Sequence, residues 1–196
     1  VIHAINTRLD PATIAFQLDH ANSEILFYDR ELGGIVQEVL SHCQVKPHLI
    51  EFVDREYDYK DAPVDLGADD YEVFLNKGDS NYQWLMPENE WDAISVGYTS
   101  GTTGDPKGVV SHHRGAYLLA QGNAMVASMP KHSVYLWTLP MFHCNGWCFP
   151  WTMSAIIGTH VCLRQVRAEP IWQSIKTHKI SHLCGAPIVM SVILSF

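Results

Sequence analysis

The segment Tyr98-Thr99-Ser100-Gly101-Thr102-Thr103-Gly104-Asp105-Pro106-Lys107-Gly108 holds three glycines, four short hydroxyl side chains and one lysine within eleven residues. Glycine lets the backbone turn through positive φ and lets a ligand approach the main chain closely. The threonines and serine add hydroxyl donors and Lys107 adds a point charge. Pro106 removes one N–H and stiffens the exit. Ahead of the segment, Ala93–Tyr98 alternates as a strand should. Behind it, Ser111 is placed to cap a helix beginning near His112. Strand, glycine-hydroxyl loop, then helix is an arrangement that cradles a polyphosphate on backbone N–H groups.

Two better-known loops are excluded. Gly108 follows Lys107 where a Walker A loop requires Ser or Thr, and the glycine spacing differs from that of the dinucleotide fingerprint. The bland alternative is a surface loop of small residues, which needs neither four hydroxyls nor a lysine behind a proline.

Outward from this loop the chain alternates strand and helix. Val1–Ile5 reads as a strand. Asp10-Pro11 reads as an N-cap followed by proline at the first helical position, and the helix runs to about Ala21 with Ile14, Leu18 and Ala21 on one stripe. Glu24–Asp29 returns as a strand. A helix over Glu31–His42 turns Leu32, Ile35, Val36, Val39 and Leu40 inward, with Gly33-Gly34 weakening its first turn. His48–Val53 completes a βαβαβ run, which predicts one parallel sheet. Residues 54–67 are polar and irregular, Asp69–Asn76 is a short helix, and 77–92 is rich in loops.

In the second half a helix from about His112 to Ser128 carries Tyr117, Leu118, Leu119, Met125 and Val126. Ser133–Leu139 is a strand ended by Pro140, and an apolar helix runs to Ile157. Thr159–Leu163 is a strand and Glu169-Pro170 opens a helix to His178. Ile180–Cys184 is a strand, and Gly185-Ala186-Pro187 turns into a terminal helix. The expectation is an α/β fold of mostly parallel sheets flanked by helices. It has two subregions, 1–92 with a loop-rich acidic connection and 93–196 carrying the loop. The turns after the second-half strands would share one sheet edge, where open α/β sheets bind ligands.

The 196 residues are enough for one sizeable core. Apolar content of 47% and charged content of 17% mark an ordinary globular chain. A formal net charge of -8, from 21 acidic and 13 basic residues, argues against a nucleic-acid footprint. The acidic excess gathers in 51–70 and reads as a solvated loop. Five cysteines with no CxxC pair argue against a disulfide framework and for a reducing, cytoplasmic setting. The most apolar stretch, 147–158, is too short to span a bilayer and contains Pro150. Neither end carries a start or stop signal, so the chain reads as an internal piece of a longer protein.

A second candidate site is Leu139-Pro140-Met141-Phe142-His143-Cys144-Asn145-Gly146-Trp147, which joins an imidazole, an indole and a turn-forming glycine after a strand. The aromatic faces could wall a base or a substrate tail; core packing around one hydrogen-bonded histidine is the other reading. Gly185-Ala186-Pro187 is a third candidate, with plain turn punctuation as its alternative. His143, Cys144, Cys148 and His160 match no zinc spacing. His112-His113 opens a helix, where the dipole disfavours cations, and reads as solvent-facing.

The run Thr99–Gly108 resembles the signature of the adenylate-forming enzymes, which include acyl-CoA synthetases, luciferases and peptide-synthetase adenylation domains. His143-Cys144-Asn145-Gly146-Trp147 resembles a second shared motif in its fatty and short-acyl CoA ligase form, and Ile5-Asn6-Thr7-Arg8-Leu9 also looks like an acyl-CoA synthetase. The resemblance implies a piece of the large N-terminal domain, with the small C-terminal domain absent and the piece inactive alone. It implies ATP-dependent activation of a small carboxylic acid to an acyl-adenylate, then transfer to coenzyme A. Ser100, Gly101, Thr102, Thr103 and Gly104 would hold phosphate, and Thr99 would also meet Mg²⁺. Lys107 and His143 would act near the ATP phosphates. Trp147, Gly185, Ala186 and Pro187 would line the acyl and adenine pocket. Nucleic acid and a membrane span are not expected, and a homodimer is open. Rival readings are a luciferase-like or carrier-loading enzyme and a non-catalytic nucleotide-binding module.

Overall fold

Asp10 turns the chain into its first helix: its carboxylate accepts the Thr13 N–H at 3.0 Å and the Thr13 hydroxyl at 2.7 Å. Pro11 then occupies the first helical position, where no N–H is needed. The computed structural model describes residues 1–99 and 105–195. These fall into two compact units. One contains Ile5–Met86 and residues 105–107. The other contains Val1–Ala4, Pro87–Thr99 and the chain from Gly108 on.

In the first unit, α1 (Pro11–His20) leads to β2 (Ile25–Asp29), after β1 (Ile2–His3) of the other unit. A 3-10 turn at Arg30–Leu32 enters α2 (Gly33–His42), followed by β3 (His48–Phe52), β4 (Asp69–Asp70) and α3 (Tyr71–Leu75). The strands form a parallel sheet in the order β2-β3-β4. Ile14, Ala15 and Leu18 of α1 pack with Val39 of α2. Ile14, Leu18 and Val39, taken from water, each stabilise by about 1.5–3 kcal/mol. Ile35 faces outward, contrary to expectation, because Val36 and Val39 already fill the inward stripe of α2. Glu51, counted with the acidic loop, is a β3 residue whose carboxylate accepts from Arg30 at 2.7 Å.

The other unit has two three-stranded sheets. The first is ordered β1-β5-β6, with β5 at Ala93–Tyr98 and β6 at Gly108–His112. The second is ordered β8-β7-β9, all parallel, with β7 at Val134–Trp137, β8 at Thr159–Cys162 and β9 at His182–Leu183. The helices are α4 (His113–Val126), a four-residue turn α5 (Cys144–Trp147), α6 (Phe149–Ala155), α7 (Ala168–His178) and α8 (Pro187–Leu194). β7 is covered on both faces, as a central parallel strand should be. Tyr135 and Trp137 meet Phe149 and Met153 on one side, and Leu136 meets Ile171 and Val189 on the other.

Four further expectations are corrected. β1 does not begin a βαβαβ sheet with β2; it pairs in parallel with β5, Ile2 opposite Ser95. A periodic pattern reports which residues form a strand and is silent on its partner. The loop is not followed at once by a helix: β6 pairs antiparallel with β5, Tyr98 opposite Gly108 and Val96 opposite Val110. The β-branched Val109-Val110 favours a pleated strand over a helical first turn. Consequently the cap of α4 is His112, whose Nδ1 accepts the Gly115 N–H at 3.0 Å, and not Ser111. His112 is also half-buried against Trp91, with ring centroids 4.6 Å apart, where a solvent-facing side chain was expected. On α4 the buried residues are Ala116 and Ala120, while Tyr117, Leu118, Leu119, Met125 and Val126 are exposed.

Candidate active site

Apart from the residues between Thr99 and Gly108, the predicted residues sit at three loop ends of the second unit. The first lies where β5 runs into Thr99, which is exposed. Ser100, Gly101, Thr102, Thr103 and Gly104 lie outside the described residues. Lys107, in the first unit, is exposed and stands one residue before β6. Because β6 pairs antiparallel with β5, the segment between them joins two strands of a hairpin and not a strand to a helix. Below it, burial pushes the Tyr98 phenol above its ordinary pKa, and the ring tilts against His3 with centroids 4.9 Å apart.

The second loop end follows β7. His143 is exposed and its carbonyl accepts the Gly146 N–H at 3.0 Å. From Cys144 to Cys148 every φ is positive: 49°, 50°, 58°, 56° and 62°. Four of these five are not glycine, so α5 is a left-handed turn, a conformation that costs an L-residue about 1–2 kcal/mol. Gly146 is required at its centre. A Cβ there would stand 2.5 Å from the buried indole of Trp137, besides the positive φ. Trp137 is itself fixed, its Nε1–H donating to His160 Nδ1 at 2.9 Å with the rings nearly coplanar. Trp147 comes out of the turn with 48% of its surface exposed. Burial, and then the neighbouring Cys144, pushes the Cys148 thiol up, so it stays protonated near neutrality.

The third loop end follows β9. Gly185 is half-buried and its absent Cβ leaves room for Val189, which would otherwise stand 3.0 Å away. Ala186 and Pro187 are exposed and open α8.

Two contacts unite these ends. The hydroxyl of Thr138, just past β7, donates to the carbonyl of Cys184, just past β9. The amide of Asn145 donates to the Ser95 hydroxyl at 2.8 Å, and Ser95 is fully buried in β5. The strand that feeds the glycine-hydroxyl loop is thus tied directly to the turn that bears His143 and Trp147. Ser95, Thr138 and Asn145 were not singled out by sequence. The only signal was a lone serine inside an otherwise apolar strand and an Asn-Gly pair, which tolerates positive φ.

A family model described as AMP-binding enzyme matches residues 1–195. The chain belongs to the AMP-binding enzyme family. Among curated relatives, the chain is 44% identical to the peroxisomal acetate/butyrate–CoA ligase of Arabidopsis thaliana, over 100% of this chain and 36% of the relative. It is 43% identical to an acetate–CoA ligase of Humulus lupulus, again over 100% and 36%. It is 38% identical to a 2-methylpropanoate–CoA ligase of the same plant, over 98% and 35%. The chain therefore spans about a third of these relatives' length. Among solved structures, an anthranilate CoA ligase bound to anthranoyl-AMP superposes with a TM-score of 0.79 at 20% identity, over 98% of this chain and 36% of that one. O-succinylbenzoate coenzyme A synthetase from Bacillus subtilis superposes with a TM-score of 0.72 at 20% identity, over 97% and 35%. Both likenesses speak to the fold: an α/β arrangement of parallel sheets and helices found in this family. No described helix is long and apolar enough to cross a membrane.

Proposed function

We propose that the protein containing this chain is an AMP-forming acyl-CoA ligase for short carboxylic acids. The carboxylate attacks the α-phosphorus of ATP, forming an acyl-adenylate and releasing pyrophosphate. The thiol of coenzyme A then forms a thioester and releases AMP. The observation that carries this reading is the Asn145–Ser95 bond, which fastens the strand leading to the glycine-hydroxyl loop to the turn presenting His143 and Trp147. Relatives named for acetate, butyrate and 2-methylpropanoate support a short aliphatic acid as substrate.

Lys107 and the loop N–H groups would take up the negative charge that moves onto the departing pyrophosphate. Ser100, Thr102 and Thr103 would hold phosphate oxygens, with Gly101 and Gly104 allowing close approach. His143 would stand at the phosphates, and Trp147 would wall the acyl site with Gly185, Ala186 and Pro187. Among the described residues no group of three or more His, Cys, Asp or Glu could hold a metal. Thr99 would supply one hard oxygen to a nucleotide-borne Mg²⁺. When bound, that ion would neutralise phosphate charge. A relative named as peroxisomal supports the peroxisome as a candidate compartment beside the cytoplasm.

The test is to incubate the full-length protein with ATP, Mg²⁺, coenzyme A and acids of increasing length. Formation of acyl-CoA and AMP is expected. Loading of a carrier-protein serine without free acyl-CoA would instead support a carrier-loading enzyme.

A further inference from the structure

We propose that Asn123 is a positioning residue that holds the left-handed turn in the direction needed to present Trp147, a role that rests on the reading of Trp147 given above. Five consecutive residues at positive φ are not self-sustaining. Within the turn the supports are few: the Gly146 N–H donates to His143, and the Cys148 N–H to Gly146. Further support comes from β5, where the Asn145 amide donates to Ser95, and from α4. Asn123 lies on the face of that helix that carries the buried Ala116 and Ala120, and α4 packs along α6 there.

Both protons of the Asn123 amide are used. One is donated to the carbonyl of Trp147 at 2.8 Å and the other to the hydroxyl of Thr152 at 3.3 Å. Thr152 is fully buried on α6 and donates its own proton to the carbonyl of Cys148 at 3.1 Å. Asn123 therefore fixes the Trp147 carbonyl directly, while the Cys148 carbonyl, which also accepts the Thr152 N–H at 3.1 Å as α6 begins, is reached only through Thr152. A carbonyl can only accept, so the amide cannot serve with its oxygen in that place. The Trp147 indole is half exposed, and its direction depends on the backbone beneath it more than on core packing. The peptide that Asn123 holds is the one that aims this indole.

The experiment uses the full-length protein and the substitution Asn123→Asp, which keeps the shape and removes both donors. Two readouts are taken: KM values for ATP and for acetate, butyrate and hexanoate, and amide hydrogen exchange across residues 144–148. The expected result is a carboxylate KM raised about tenfold, a flattened preference among the three acids and an ATP KM within about twofold of the parent. Exchange across the turn should rise about tenfold or more while β7 and α6 stay protected. Asn123→Gln, which restores an amide, should recover part of both effects. Should Asn123→Asp fail to fold, Thr152→Val removes the second arm alone at constant volume and should give the same pattern, weaker. Unchanged exchange across 144–148, or ATP and carboxylate KM values rising together, would overturn the proposal. If the full-length protein makes no acyl-CoA from any acid, the functional reading falls, and the exchange readout still decides the role of Asn123.

Discussion

Asn145 and Ser95 stand fifty residues apart in the chain and meet through one hydrogen bond of 2.8 Å between the side-chain amide and a fully buried hydroxyl. Ser95→Ala removes the acceptor, and melting of the full-length protein should show a loss of about 1–2 kcal/mol. At Asn145 the backbone sits at φ 50°, so Asn145→Gly and Asn145→Ala lose the same bond but differ in strain. The glycine variant should be the more stable by about 1 kcal/mol. Equal stabilities would mean that the left-handed turn is not the conformation in solution.

Gly146→Ala should be among the most damaging single changes in this segment. The new methyl meets a rigid, buried indole ring at 2.5 Å and sits on a backbone with φ 58°. A loss of about 2–4 kcal/mol is expected, with the near-ultraviolet circular dichroism of tryptophan altered even where the fold survives. A variant that melts like the parent would contradict the packing of Gly146 on Trp137.

How much of this was legible in the sequence depends on how local each signal was. Asp10-Pro11 named a helix start and the structure has it to the residue, because a cap is a contact three residues long. Strand and helix order was readable from periodicity, and so was the convergence of the β7 and β9 turns, since parallel neighbours end on the same side. The hairpin is ambiguous in sequence, because Val109-Val110 signals a strand while Ser111 is placed like a helix cap. The partner of β1 and the Asn123 contact had no local signature, and Ser95 and Asn145 had only the lone serine of an apolar strand and an Asn-Gly pair. Asn-Gly signals positive φ at two positions, but nothing in Cys144, Trp147 or Cys148 does.

Lys107→Ala tests the chemistry apart from the fold. Lys107 is exposed, so stability should change by no more than about 0.5 kcal/mol. The adenylation rate, followed by carboxylate-dependent pyrophosphate exchange in the full-length protein, should fall about 100-fold or more. Parallel losses in melting temperature and rate would point to a structural lysine.

Trp137 and His160 offer a test of the core under the site. Because the Trp137 Nε1–H donates to Nδ1, the imidazole carries its own proton on Nε2. His160→Ala strands an indole N–H at a residue only 5% exposed, and a loss of about 1–3 kcal/mol is expected. His160→Gln, which can offer a carbonyl acceptor, should recover part of it.

Asp10 predicts the acid limb of stability. The Thr13 hydroxyl, followed by the Thr13 N–H, holds its carboxyl below the ordinary value of 3.8. A depressed folded pKa stabilises above the unfolded value and is lost as pH falls through the folded one. The parent should therefore lose this contribution only below about pH 3.8, and Asp10→Asn should flatten that part of the melting curve. An unchanged acid limb would remove Asp10 as a contributor.

The pairing of Ile2 with Ser95 has a kinetic consequence. Everything in Ile5–Met86 intervenes between two strands that lie side by side. That edge of the sheet cannot close until a long stretch of chain has been gathered in, and the entropy of doing so is lost before any ladder bond is gained. During synthesis β1 cannot meet β5 until the whole intervening unit is made. The β1–β5 ladder should form after the local contacts of the intervening unit.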